Sequence, residues 1–394
     1  MFRKDESGLA KHSLKQSIRT FFYYSNLRLI LLCLAASVYG CLLVYSASYS
    51  AGNGMSGVIM QIGASAVGLI LAMLISQVDY EDICRLWPVW AALSVGLVLL
   101  TFTPLGLNVA GTDDTAWLGI RIGSFRLTFQ PSELMKISFI ITFSVHLSRV
   151  QQDIRRFKTL ALLALHAIVP IGLVFLQGDD GTALVFILIF LSMLLVSGVN
   201  LLYYVLGLAG VCALVPLAWT YLLTDDKKAR FLCILPPYVE KYLSTTGWQQ
   251  YEGLKAIGSG KLTGVGYLQG GKGFSFARNN DLIFTVAAEE FGFIGGLLLF
   301  LLLALLVFEL VRCTKQSRDD LGGYLCVGML ALIGFQSLIN LGMCLRVLPV
   351  IGITLPFFSA GGSSVATLYL GIGLVLSVSF SQNTRRKSLA DLRS

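Results

Sequence analysis

The chain is poor in charge. Only 13% of its 394 residues are Asp, Glu, Lys or Arg, about half of the roughly 25% found in soluble domains. Its 8 cysteines are scattered and nowhere form a C-x-x-C pair, so zinc-ribbon and dithiol redox chemistry are excluded. It has just 3 histidines. His146 and His166 lie on different apolar runs, where a packed, hydrogen-bonded imidazole is a simpler reading than a metal ligand. A phosphate-binding loop is lacking too. "GSGKLTG" invites that reading, but the residue five before Gly260 is Lys255, and Leu262 follows Lys261 where Ser or Thr is required. No preceding strand is expected there either. A glycine-rich loop folded over a cavity fits these residues better, because glycine allows positive φ and close backbone approach.

What fills the chain is hydrocarbon. The mean hydropathy is +0.75, and apolar runs long enough to cross a hydrocarbon core recur along the whole length. They are Leu27–Ser46, Met55–Val78, Trp87–Leu105, Pro131–Ser148, Thr159–Phe175, Thr182–Val199, Leu201–Leu223, Ile283–Val311, Gly323–Leu345 and Gly361–Phe380. The pattern predicts an all-α, polytopic membrane protein of about ten transmembrane helices. Residues 1–26 precede the membrane domain of residues 27–382, and residues 383–394 form a basic tail. "YSASYSA" after the first run resembles a signal-peptidase site, but the run is too long for a signal peptide and more helices follow, so an uncleaved helix is expected.

The net charge of +8 reads as a topology signal. Arg3, Lys4, Lys11, Lys15 and Arg19 precede the first helix. Arg149, Arg155, Arg156 and Lys158 follow the fourth, Arg312, Lys315 and Arg318 follow the eighth, and Arg385, Arg386 and Lys387 close the chain. With ten helices all four clusters share one face, which the positive-inside rule makes cytoplasmic, with both termini. The bases form no single patch, which argues against nucleic acid. Three irregular segments then lie on the outer face: Thr103–Gln130, the long loop Thr224–Leu282 between helices seven and eight, and Arg346–Gly362. The last is apolar yet rich in Pro and Gly, and such backbone survives at membrane depth only where protein or a wet cavity covers it.

The few charges inside the apolar runs need partners or work. Pro131 suits a first helical position, and Glu133 follows in the first turn, favoured there by the helix dipole. Lys136 lies three residues on, on the same face. The two either lock helices together as a neutral pair or line a cavity, with Lys136 facing an anionic substrate. Asp179 or Asp180 could cap the sixth helix. Asp281 precedes "LIFTVAAEEFGFIGG" and is either a plain N-cap or an outward-facing base or metal ligand, with cap bonds and dipole keeping it ionised. Glu289 and Glu290 point about 100° apart. A structural role suits both, one meeting a cation or a helix backbone, although a proton-coupled transporter would also place carboxylates at this depth.

Several stretches together resemble the shape, elongation, division and sporulation (SEDS) family of RodA, FtsW and SpoVE. They are "YSAS" at 45–48, "QPSELMK" at 130–136, "GDDGTALV" from Gly178, "AIGSGKLTGVG" at 256–266, "NDLIFTVAAEEFGFIGG" from Asn280, and "NLGMCLRVLPVIGITLPFFSAGGSS" at 340–364. The resemblance covers nearly the whole chain. It implies a peptidoglycan glycosyltransferase that polymerises lipid II, works beside a class B penicillin-binding protein and sits among lipids in the bacterial cytoplasmic membrane. It carries the family's catalytic acid onto Asp281. It carries cavity residues onto Glu133, Lys136, Trp117, Gln130, Asp179 and Thr182, and motif positions onto Ser359 and Ser363. Arg278 and Arg346 are weaker candidates to face a pyrophosphate. No organic cofactor is expected; Asp281 either serves as base or binds a divalent ion such as Mg or Mn. This sequence has Gly178, Asn280, Ala288 and Ala360 where the family usually has Pro, Thr, Gly and Tyr, carries Arg346 at a usually apolar position, and is longer at "GTDDTAWLGI". The residues also leave open a lipid II transporter, using Glu133, Lys136 and Glu290 as a polar path, or a scaffold for the penicillin-binding partner.

Overall fold

The computed structural model describes residues 25–50, 55–108, 115–122, 125–221, 223–236, 238–242, 244–271 and 278–391. The basic cluster at residues 3–19 and the acidic insertion at 113–114 lie outside them. Ten helices of fifteen residues or more follow one another among the described residues. Seven of them are long and apolar enough to cross a membrane: α1 (Leu27–Ser50), α2 (Ser56–Ile75), α6 (Phe157–Leu176), α8 (Leu201–Tyr221), α13 (Gly292–Gln316), α14 (Asp320–Cys344) and α15 (Gly362–Asp391). Two more, α4 (Trp87–Thr101) and α7 (Asp180–Val196), are apolar but shorter. The tenth, α5 (Pro131–Val150), carries Glu133 and Lys136 inward and is buried along most of its length. The protein is an all-α polytopic membrane protein.

The core forms where α5, α14 and α15 meet. α15 packs along α2, and α14 packs against α5, α7 and α13. Phe143, Phe186, Leu325, Ile333, Phe357, Phe358 and Tyr369 fill the space between them. By contrast, α8 buries no residue in the bundle.

Helix ends follow the expected chemistry. Pro131 opens α5. Asp179, rather than Asp180, caps α7 by accepting the Thr182 N–H at 2.9 Å. Asp319 caps α14 by accepting the Gly322 N–H at 2.7 Å. Short helices fill the connections: α3 (Tyr80–Arg85), α9 (Asp225–Leu232), α10 (Val239–Tyr242) and α11 (Trp248–Ser259).

Two expectations need correction. The segment Thr103–Gln130 is not irregular throughout. It forms a three-stranded antiparallel sheet of β1 (Gly106–Leu107), β2 (Trp117–Ile122) and β3 (Phe125–Phe129), with Ile122 opposite Phe125. "WLGIRI" and "FRLTF" alternate apolar with small or polar residues, the period of a strand. The span Ile283–Val311 is not one helix either. α12 (Ile283–Glu290) stops at Phe291, and α13 starts afresh at Gly292, whose φ is 66°.

The break is filled by the glycine-rich loop. Val265 N–H donates to the Glu289 carbonyl at 2.9 Å and Gly266 N–H to the Glu290 carbonyl at 3.1 Å. Phe293 N–H donates back to the Lys261 carbonyl at 2.8 Å. The orphan backbone groups of both helix ends are therefore satisfied by main chain. The approach is close enough to require glycine. A Cβ on Gly264, at φ 86°, would stand 2.1 Å from the Glu290 carbonyl oxygen. Gly264→Ala should therefore lower stability by about 2 kcal/mol or more, the scale of a strained left-handed residue, read as an earlier thermal unfolding transition of the detergent-solubilised protein.

Candidate active site

The three carboxylates around the helix break have different fates. Glu289 faces the buried guanidinium of Arg278 and accepts the Gly271 N–H at 3.2 Å. Glu290 accepts the Ser46 hydroxyl at 2.5 Å and the Leu268 N–H at 3.3 Å. Both hold the glycine-rich loop against α1 and α12, the structural role expected of them. Arg278 belongs to this loop anchor, with its guanidinium on Glu289. A largely buried Glu289 carboxylate needs a paired cation, and among the described residues Arg278 supplies it.

Asp281 is different. Leu282 stands at the N-cap of α12 and makes no side-chain cap bond, so Asp281 is not the cap its position suggests. Its main chain is clamped instead. The Asn340 amide, from α14, donates to the Asp281 carbonyl at 2.8 Å and to the Ile353 carbonyl at 2.6 Å. The Ser359 hydroxyl donates to the Asn280 carbonyl at 2.6 Å, and Ala360 N–H to the Asn279 carbonyl at 2.7 Å. Gln61, from α2, completes the clamp. Its amide donates to the Ser359 carbonyl at 3.0 Å and accepts the Gly361 N–H at 3.1 Å.

No donor among the described residues reaches the Asp281 carboxylate. Burial first, and the charge of Asp179 second, push its pKa up to about 6. The expected ionised, cap-stabilised carboxylate is thus reversed in sense: without facing N–H groups, desolvation is unopposed.

Around Asp281 lies a polar cluster drawn from α5, α7, α14 and α15. Lys136 donates to Glu133 at 2.9 Å and to the side-chain amide oxygen of Gln336, Oε1, at 3.4 Å. Gln336 in turn donates to the Thr354 carbonyl at 3.1 Å. The Gln130 amide donates to Asp179 at 2.9 Å, and the Gln130 N–H points to the Ser363 hydroxyl at 3.4 Å. Asp179 is within electrostatic reach of Lys136, Glu133 and Asp281. Glu133, Lys136, Gln130, Asp179, Thr182 and Ser363 are therefore assembled with Asp281, while Ser359 lies beneath it as a backbone clamp.

Trp117 is half-buried in β2, opposite Leu107. Arg346 stands apart. It adopts φ 58° at the end of α14 and donates to the Cys233 carbonyl at 2.8 Å, fastening the long loop to that helix. Gln61, Gln336 and Asn340 were missed by motif reasoning. Each is an amide in a strongly apolar helix, and that isolation was the available signal.

Fold and site together define a polytopic membrane protein with a carboxylate, Asp281, that has no donor among the described residues, beside a buried cluster holding the Glu133–Lys136 pair. The sequence model of the FtsW/RodA/SpoVE family, described as cell cycle protein, matches residues 27–384. The chain belongs to that family. It is 31% identical over 367 residues to stage V sporulation protein E of Bacillus subtilis, covering 90% of this chain and 96% of the relative. It is 29% identical over 370 residues to peptidoglycan glycosyltransferase MrdB of Escherichia coli, covering 92% and 94%. Among solved structures it superposes on a chain of a peptidoglycan synthase complex described as coordinating polymerization and crosslinking, with a TM-score of 0.76, 28% identity and coverage of 91% and 98%.

The Glu133–Lys136 pair separates structure from chemistry in a double-mutant test. Lys136→Met alone should destabilise by about 3–5 kcal/mol, the cost of stranding a buried charge. Adding Glu133→Gln should recover most of that loss. Thermal unfolding of the single and double variants checks both steps.

Proposed function

We propose that the chain is a peptidoglycan glycosyltransferase. In this reading it polymerises lipid II, a disaccharide peptide on polyprenyl pyrophosphate, into glycan strands, beside a class B penicillin-binding protein that crosslinks them. The observation that carries the reading is Asp281: one carboxylate without a described donor, its backbone clamped by Asn340 and Ser359, beside the Lys136 cluster. The names of MrdB and of the synthase complex support the same reaction and the same kind of partner.

The chemistry asks little more of the protein. The sugar leaves on a pyrophosphate, which needs its charge neutralised rather than a strong general acid. The incoming sugar hydroxyl needs a base, so one carboxylate suffices where a glycosidase uses two. Asp281 takes the hydroxyl proton. Lys136, with one ammonium donor left after Glu133 and Gln336, faces the leaving pyrophosphate. Gln130, Asp179, Thr182, Ser363 and Trp117 border the sugar and phosphate positions.

Among the described residues no group of three His, Cys, Asp or Glu side chains converges on one point. A divalent ion at Asp281 fits this arrangement only in the manner of Mg²⁺, held by one or two carboxylates with phosphates and water completing its shell. Its chemistry there would be to neutralise pyrophosphate charge.

The basic residues after α5 and α13 support a cytoplasmic position for those loops by the positive-inside rule, and with them for both chain termini. Asp281 then works at the outer face of the bacterial cytoplasmic membrane. A transporter reading loses support because Glu290, needed for its polar path, is tied to Ser46 and the Leu268 N–H.

The test is polymerisation of purified lipid II by the full chain in detergent, with and without a cognate class B partner. Glycan chains from wild type and none from a folded Asp281→Asn variant are expected. Normal polymer from that variant would remove Asp281 as the base. Wild type inactive even with the partner and divalent ions present would point to transport or scaffolding.

A pH profile adds an independent check. The base must be ionised, and its pKa lies near 6. The rate should therefore climb as pH rises through about 6 and level above it, following the ionised fraction. Asn340→Ala frees the Asp281 carbonyl and should slow the reaction and shift that midpoint.

A further inference from the structure

A slot runs between α7, α13 and α14, from Lys315 at the end of the bundle opposite the Asp281 site along α14 as far as Leu338. Its volume is about 380 Å³. Leu195, Val311, Val327, Gly334 and Leu338 form its walls, and Lys315 stands among its lining residues. Asn340, which clamps Asp281, lies twenty residues along α14 from its first residue, Asp320. At about 1.5 Å per residue this is about 30 Å, the thickness of a hydrocarbon core. Lys315 lies five residues before Asp320, and so at the opposite membrane surface.

The walls are apolar in practice. The two hydroxyls among them serve their own helices: Ser192 donates to the Leu188 carbonyl at 2.7 Å and Thr314 to the Leu310 carbonyl at 3.0 Å. Leu195 and Leu338 are exposed, so the slot is open toward the surrounding lipid. Lys315 is exposed and makes no ion pair among the described residues. Val327 and Leu338 are eleven residues apart on α14, about 16 Å, which is roughly half a hydrocarbon core. A slot of this length and volume is too narrow for a helix about 10–12 Å wide. It suits one extended hydrocarbon chain lying along α14 from the surface at Lys315 toward Leu338.

We infer that this slot binds one acyl chain of an anionic phospholipid, whose headgroup pairs with Lys315. Two terms combine. The chain exchanges mobile lipid neighbours for fixed apolar walls, and the cation selects the headgroup, as basic pockets between transmembrane helices do. Gly334 keeps the slot open. A Cβ there would meet only Val307, at 3.9 Å, an ordinary contact. A larger side chain at 334 therefore enters the slot without displacing the bundle.

Native mass spectrometry of the full chain in detergent tests this. The probes are dioleoylphosphatidylglycerol and dioleoylphosphatidylcholine. Wild type should retain one phosphatidylglycerol, favoured over phosphatidylcholine by about fivefold, the worth of roughly 1 kcal/mol for one lysine at a lipid surface. Lys315→Gln should bring the two lipids to equal retention while a chain still binds. Gly334→Leu, monodisperse on gel filtration, should lose the retained lipid. Undiminished lipid on Gly334→Leu would overturn the site. Equal retention of both lipids by wild type would overturn the role of Lys315.

Discussion

A backbone carbonyl buried among apolar helices has no water to bond, and leaving it unpaired costs several kcal/mol. This constraint organises the outer end of the molecule. The segment 346–361 is not helical, yet Ile353, Leu355, Phe357 and Phe358 within it are almost wholly buried. Its polar groups are met by side chains sent from the helices around it: Asn340 to Ile353, Gln336 to Thr354, Gln61 to Ser359 and Gly361. The close approach is built in elsewhere as well. A Cβ on Gly40 of α1 would stand 2.5 Å from the Phe357 carbonyl oxygen.

The same bonds that solve this accounting problem also make the site. Asn340 spends one amide hydrogen on Ile353 and the other on Asp281. Ser359 accepts the Leu355 N–H at 2.8 Å and donates to Asn280. The irregular segment and the turn bearing Asp281 are thus held through shared side chains. Fixing a carboxylate through its own backbone leaves its oxygens unspent, whereas fixing it through cap bonds would consume them and lower its basicity. The geometry therefore reconciles rigid placement with an available base.

Much of this was legible in the residues, and the parts that were not share a physical cause. Hydropathy located the long helices because a membrane imposes a length on them. It could not see the stop at Phe291, since nothing in "EEFGFIGG" alone says that a distant loop will offer four backbone partners there. Glu133 and Lys136 were visible as a same-face pair, and their pairing follows from spacing alone. Arg278 was ambiguous: a cation near a substrate loop looks the same in sequence whether it faces a phosphate or a carboxylate eleven residues on. Asp281 looked like a cap because caps are a local rule. Its actual support comes from Asn340, 59 positions away, and from Ser359, which bonds the preceding Asn280 from 79 positions away, beyond any local rule.

The stretch from Arg278 to Gly292 shows how one short segment divides its charges. Glu289 and Glu290 sit where the helix breaks, and the loop that fills the break brings them Arg278, the Leu268 and Gly271 N–H groups and, through α1, the Ser46 hydroxyl. Removing those partners would leave two like charges side by side in an apolar wall. Asp281, eight residues before Glu289, receives no such partners among the described residues, and the charge acting on it is that of Asp179, of like sign. The glutamates must be neutralised for the break at the end of α12 to form, while the start of that helix at Ile283 leaves Asp281 outside it and within electrostatic reach of Asp179.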